Sequence, residues 1–270
     1  MTPEFHSSLQ TLVIGFITGL LSGAFGVGGG IFCTPVIRMF LNVAPHVAIG
    51  TTMALIIPTS IVGAVNYIKQ KQIDLRLAKL MVLPAVIGTI LGATAANYVH
   101  GQLLMLLFAV FAACAGLDLA FGLGEKITKR KRQSLSEAEQ LVPPVVPAYV
   151  AVLIGLGAGI MAGFFGVGGG FILVPALLYF FHISVKAAFG TSLLIIAAVS
   201  IPGTLTHATN GHMDFHLASS MVAGAIPGAW AGSLLSLRLK DSLLRKGFGI
   251  VMLAMAIMLA IKEAQQGFGA

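Results

Sequence analysis

Gly26-Val27-Gly28-Gly29-Gly30 stands near the start of the chain, and the same five residues return as Gly166-Val167-Gly168-Gly169-Gly170. The displacement is 140 residues. Held fixed and without gaps, it pairs Gly15 with Gly155, Gly19 with Gly159 and Gly23 with Gly163. It goes on to pair Phe25 with Phe165, Pro35 with Pro175, Gly50-Thr51 with Gly190-Thr191, Asp74 with Asp214, and Gly92 with Gly232. A glycine-rich chain yields one such match by chance, but not the rest in register. The chain is one unit written twice, with a first repeat over 1–123, a polar linker over 124–146 and a second repeat over 147–270.

Each unit is built for lipid. Of the 270 residues 57% are hydrophobic and only 9% charged, too little polar surface for a soluble domain. The apolar runs are long and lack period-2 alternation, which excludes a barrel and predicts helices. The expected fold is therefore all-α and polytopic. Leu9 onward reads as a retained membrane segment, not a cleaved leader. Cys33 and Cys114 are the only cysteines and lie in apolar stretches, so no disulfide framework, metal site or cofactor is expected. The net charge of +7 sits in short connecting segments without interleaved aromatics, which argues against nucleic acid as a partner.

Within each repeat a first apolar arm runs up to the glycine pentad, Leu9–Phe25 and Tyr149–Phe165. A short arm follows, Ile31–Leu41 and Phe171–Phe181, then three longer segments. An 11-residue arm is about 17 Å long as a helix, against a hydrocarbon core of about 30 Å. It cannot span comfortably, and a re-entrant or broken hairpin with its tip inside the membrane is expected.

The linker holds Lys126, Lys129, Arg130, Lys131 and Arg132, which predicts a cytoplasmic location. In the first repeat Lys69, Lys71, Arg76 and Lys79 mark one connection, and the next, around His100, has no Lys or Arg. In the second repeat the pattern reverses. The stretch from His207 to His216 has none, and Arg238, Lys240, Arg245 and Lys246 mark the following connection. Equivalent loops thus carry opposite signals, as two repeats of inverted topology require.

Backbone at membrane depth must be buried in protein or line a wet cavity. The pentad immediately precedes a helix start, where N–H groups lack intrahelical partners and the dipole end is positive. Gly28, Gly29, Gly30 and Ile31, with Gly168, Gly169, Gly170 and Phe171, are thus candidate donors to an anion near the midplane, without a buried Lys or Arg. Thr51, Thr52, Thr191 and Ser192 lie early in the third segment of each repeat. Their hydroxyls either complete that shell or bond locally to backbone. The other glycines, at four-residue spacing, fit close helix packing.

The repeated G-x-G-G-G-x-x-x-x-P pattern, the later Gly190-Thr191-Ser192 and the two apolar halves resemble the sulfite exporter TauE/SafE family over nearly the whole chain. The resemblance implies a cytoplasmic-membrane transporter for sulfite, sulfonates or related sulfur compounds. The first repeat departs mildly, with Gly50-Thr51-Thr52 where the family often has Ser.

Other polar residues carry weaker expectations. Cys33, whose counterpart is Leu173, reads as a buried thiol. Asp118 and His207 are candidates for proton coupling, with hydrated positions near segment ends as the plainer alternative; Asn66 and His207 either line an approach or are ordinary interfacial side chains. Arg38 can snorkel from its arm's end, and Asp74 and Asp214 suit helix N-caps. The leading function is secondary export of a small sulfur-containing anion by alternating access, with the lipid bilayer as its setting and a homodimer as the expected assembly. A membrane-embedded enzyme and a non-transporting assembly subunit stay open as alternatives.

Overall fold

The computed structural model describes residues 8–122 and 146–267, and among them all regular structure is helical. All but the last residue of the basic linker lies outside the described residues. The first repeat forms α1 (Ser8–Phe25), α2 (Gly30–Phe40), α3 (Pro45–Lys69), α4 (Leu75–Ala96) and α5 (Gly101–Phe121). The second forms α6 (Ala148–Phe165), α7 (Gly170–Tyr179), α8 (Val185–Thr209), α9 (Phe215–Arg238) and α10 (Asp241–Gly267). The start of every helix recurs at the 140-residue displacement.

Seven helices, α3–α6 and α8–α10, are long and apolar enough to cross a membrane; α1, α2 and α7 are shorter. Lipid-facing side chains are apolar: Leu83, Ile87 and Leu91 on α4 and Leu103 and Val110 on α5 are exposed. Asp74 and Asp214 cap α4 and α9. The Asp74 carboxylate accepts from the N–H groups of Arg76 and Leu77, that of Asp214 from Leu217.

The repeats interlock rather than stand side by side. α1 packs along α9, and its counterpart α6 packs along α4. Cβ atoms added at Gly15, Gly19 and Gly23 would run into the carbonyls of Met221, Ala225 and Ala229. Those added at Gly155, Gly159 and Gly163 would meet Met81, Ala85 and Thr89, which are the same positions in the other repeat. Glycine here serves close backbone approach, the means by which helices associate when lipid supplies no hydrophobic drive. At the centre α3 crosses α8, and α5 packs on α10.

This seam makes a checkable contrast. Gly157 has open space where its Cβ would go, while Gly159 faces the Ala85 carbonyl. Gly159→Ala should cost about 1–3 kcal/mol through overpacking and lower the melting temperature of the purified protein. Gly157→Ala should leave it unchanged or raise it.

Candidate functional site

Each repeat turns sharply between its first two helices. Gly26, Gly28 and Gly29 have φ of +69°, +74° and +90°, and Gly166, Gly168 and Gly169 have +64°, +79° and +76°. Side chains rarely accept this left-handed region, so the pentad is dictated by the turn. Gly26 to Ile31 and Gly166 to Phe171 are all buried.

The two elbows abut. A Cβ on Gly30 would strike the backbone of Val167, and one on Gly170 that of Val27. Gly28 and Gly168 both lie against Ile56 and Ile196, which sit near the middle of the 25-residue helices α3 and α8. Val27, Val167, Ile56 and Ile196 are fully buried and close the space between the elbows. No side chain caps α2 or α7; Gly29 and Gly169 occupy the N-cap positions. The first turns therefore present bare N–H groups and positive dipole ends toward the centre of the protein.

The four hydroxyls expected beside the pentads divide. Thr51 Oγ1 accepts from the Asp214 N–H at 3.0 Å, and Thr191 Oγ1 from the Asp74 N–H at 2.9 Å. Cβ atoms on Gly50 and Gly190 would collide with the carbonyls of His212 and Gln72. Each Gly-Thr pair thus anchors a loop of the opposite repeat. Ser192 reaches the first elbow and donates to the Gly26 carbonyl. Thr52 is fully buried, and its hydroxyl makes no hydrogen bond.

A sequence profile for the sulfite exporter TauE/SafE family matches residues 11–259. The chain belongs to that family. A probable membrane transporter protein of Xylella fastidiosa strain 9a5c is 31% identical over 255 residues, covering 93% of this chain and 94% of its own. The probable membrane transporter protein YunE of Bacillus subtilis strain 168 is 27% identical over 275 residues, covering 95% and 97%. YfcA of Escherichia coli K12, also a probable membrane transporter protein, is 25% identical over 260 residues, covering 94% and 91%. No solved structure matches the chain. This TauE/SafE protein is a multi-pass membrane protein, and its bacterial relatives point to the inner membrane.

His207 and Asp118 turn out to have defined neighbours. His207 is fully buried, with Nε2 2.9 Å from the Gly163 carbonyl. A carbonyl only accepts, so Nε2 carries hydrogen and Nδ1, buried without a partner, is left as an acceptor when the ring is neutral. The equivalent residue, Tyr67, places its hydroxyl 3.2 Å from the Gly23 carbonyl and 2.8 Å from the Ser236 hydroxyl. The two side chains thus serve the same carbonyl at the end of α1 and α6. Asn66, also buried, donates to Ser233 Oγ at 2.7 Å. Asp118 hydrogen-bonds Tyr179 at the outer end of α7, and Arg245 donates to the Tyr179 hydroxyl at 2.7 Å. Nothing in the composition flags Tyr67; only its alignment with His207 could have found it.

Arg38 departs from the snorkelling expectation. It is buried at the end of α2, and its Nε donates to Glu263 of α10 at 2.7 Å. Beside it opens a cavity of about 850 Å³ lined by His46, Asn97, Tyr98 and His100 among others. His46 stacks on His212 with ring centroids 4.8 Å apart, and His212 lies 6.0 Å from His207.

Two expectations follow from these groups. Removing one partner of a buried ion pair strands the other, so Glu263→Gln should cost about 3–5 kcal/mol. The double replacement Arg38→Met with Glu263→Leu should recover most of that loss in thermal melting. His212 lies in the loop between α8 and α9, where burial and, secondarily, His46 depress its pKa below 6.5. The folded protein therefore takes up its proton later than the unfolded chain, and stability falls as pH drops below about 6.5. The melting temperature should be lower at acidic than at neutral pH, and His212→Gln should reduce the difference.

Proposed function

We propose that this protein is a secondary transporter that exports a small sulfur-containing anion, with sulfite or an organosulfonate as cargo, by alternating access around the paired elbows. The observation that carries the reading is the meeting of two uncapped helix N-termini midway along α3 and α8. Such ends attract anions through oriented amides, without the cost of a buried cation. The family description names sulfite.

The repeats, 1–123 and 147–270, enter the membrane in opposite senses. Support comes from the loops. The Asp74 N–H bonds Thr191 near the start of α8, so the basic connection between α3 and α4 lies at the end of the protein where α8 begins. Lys186 donates to the Leu237 carbonyl at 2.9 Å at that same end. The loop around His212 and the start of α3 share the other end. Basic connections thus gather on one side, the cytoplasmic one, and the elbows fall near mid-depth.

Transport rather than catalysis fits the elbow's chemistry. Its one thiol, Cys33, faces Thr52 and Thr18 rather than a base, and a nucleophile needs an activating neighbour. Outward movement of an anion runs downhill in an inside-negative cell, and closed elbows require the halves to part at each turnover.

The test is flux. Purified protein in liposomes should take up radiolabelled sulfite saturably under an imposed potential. Gly29→Val and Gly169→Val should cut uptake at least tenfold while the protein still inserts. Wild-type uptake no greater than that of empty liposomes, for sulfite and for sulfonates alike, would sink the reading.

A further inference from the structure

The two elbows share a backbone but not a lining. Around the first, α1 contributes Thr18 and Ser22, α2 contributes Cys33 and α3 contributes Thr52, all at most 1% exposed. The counterparts of the first three in the second repeat are Ala158, Ala162 and Leu173. The fourth, Ser192, spends its hydroxyl on the carbonyls of Gly26 and Phe189.

Resting on the transport reading above, we infer that the elbows are unequal and that a small oxyanion is held at the first one, by Ser22 and Thr52 together with the bare N–H groups at the start of α2. Ser22 Oγ and Thr52 Oγ1 are buried and make no hydrogen bond. A hydroxyl in the body of a membrane helix ordinarily bonds back to a carbonyl one turn earlier, as Thr89 does to Ala85 and Ser233 to Ala229. Ser22 and Thr52 do not.

Ser22 points at the helix end, and Thr52 lies beside Cys33 of the same helix. The Cβ that Gly29 lacks would lie 3.1 Å from Ser22 Cβ, 3.3 Å from Thr18 Cγ2 and 3.5 Å from Ser22 Oγ. Ser22 thus faces the N-cap of α2. Cys33 is one turn further along, its N–H donating to the Gly29 carbonyl at 2.8 Å. Its thiol faces Thr52 and Thr18, but a thiol is a weak partner, and Thr52 is left unsatisfied.

An orphaned hydroxyl in a dry interior is unfavourable and invites a functional account. Hydroxyls can turn their hydrogens toward an oxyanion, and amides at a helix N-terminus add fixed donors of the same sign. The second elbow, lined by alanine and leucine, offers the amides alone. It acts as the closing wall, with Phe171 packed against Phe165 behind it.

The experiment compares Ser22→Ala and Thr52→Val with wild type in two readouts. Both substitutions keep size and remove a hydroxyl with no partner stronger than the Cys33 thiol, so the ligand-free melting temperature should hold or rise. Sulfite should stabilise wild type, and that rise should vanish in the variants. In liposomes the KM for sulfite should increase at least tenfold, and Thr52→Ser should restore it. Thr18→Val and Cys33→Leu repeat the measurement at separate positions if either first variant folds poorly. Sulfite flux by wild type with unchanged KM and unchanged stabilisation in the variants would overturn this inference and leave the transport reading standing. A fall in ligand-free melting temperature with wild-type KM would make the hydroxyls structural and overturn it equally. If sulfite, thiosulfate and sulfate neither stabilise nor cross with the wild-type protein, both readings fall.

Discussion

A helix cannot stop inside a membrane unless something takes over the hydrogen bonds that stopping breaks. Lipid offers no partner, and each unsatisfied backbone group there costs several kcal/mol. Both elbows break the chain where it is buried within the protein. Each is tolerated because the opposite repeat covers it. Val167 lies against Gly30, Val27 against Gly170, and Ser192 of α8 satisfies the Gly26 carbonyl. Residues of the elbow's own repeat add to this cover, as Thr59 does at the Gly28 carbonyl and Ala158 and Ala162 do beside Gly169. The glycine seams between α1 and α9 and between α6 and α4 follow from the same need. Only close backbone approach draws the covering helices in far enough.

That arrangement limits how the protein can move. Carbonyls at the end of α1 are held by Tyr67 of α3 and Ser192 of α8, and the Gly28 carbonyl by Thr59 of α3 at 3.0 Å. The end of α6 is held by His207 of α8. The central helices α3 and α8 therefore carry the elbows with them. In the alternating access proposed above, the halves open by a tilt of these linked bodies past one another, since bending an elbow alone strips its carbonyls of partners. The outer ends of the short arms are pinned as well, α2 through Arg38 and Glu263, and α7 through Tyr179, Arg245 and Asp118. Both pins involve α10, which places the final helix as a strut between the two short arms.

Much of this was legible in the sequence. The 140-residue register pairs the five helix starts of one repeat with the five of the other among the described residues, and four of them carry a local signal: Asp before α4 and α9, the pentad before α2 and α7. The elbow glycines were legible for the same reason, since left-handed backbone selects its own residue. What stayed hidden depends on contacts distant in the chain. Thr51 and Thr191 read equally as ligand hydroxyls or as partners of backbone, and in the structure they accept from loop amides 163 and 117 residues away. Arg38 looked like a snorkelling side chain because its partner lies 225 residues on. Periodicity and composition carry no information at that range. The repeat does carry some: Tyr67 and His207 align, and both can donate to a carbonyl, which is the one trace of their shared structural task.

Duplication sets the two halves equal, and the departures from equality show where each half has taken on separate work. Many substitutions between the repeats exchange one apolar residue for another, as lipid-facing and core positions permit. Hydroxyls are different, because one placed in a dry interior must be paired or it weakens the fold. Among the described residues, those buried without a partner are Ser22, Thr34 and Thr52 in the first repeat and Thr204 in the second. Stability alone would replace them with alanine or valine, and the second repeat carries those residues opposite Ser22 and Thr34, as Ala162 and Val174. A symmetric binding site would spread such groups over both elbows. Their concentration on one side fits a carrier whose framework is twofold and whose grip on its cargo is not.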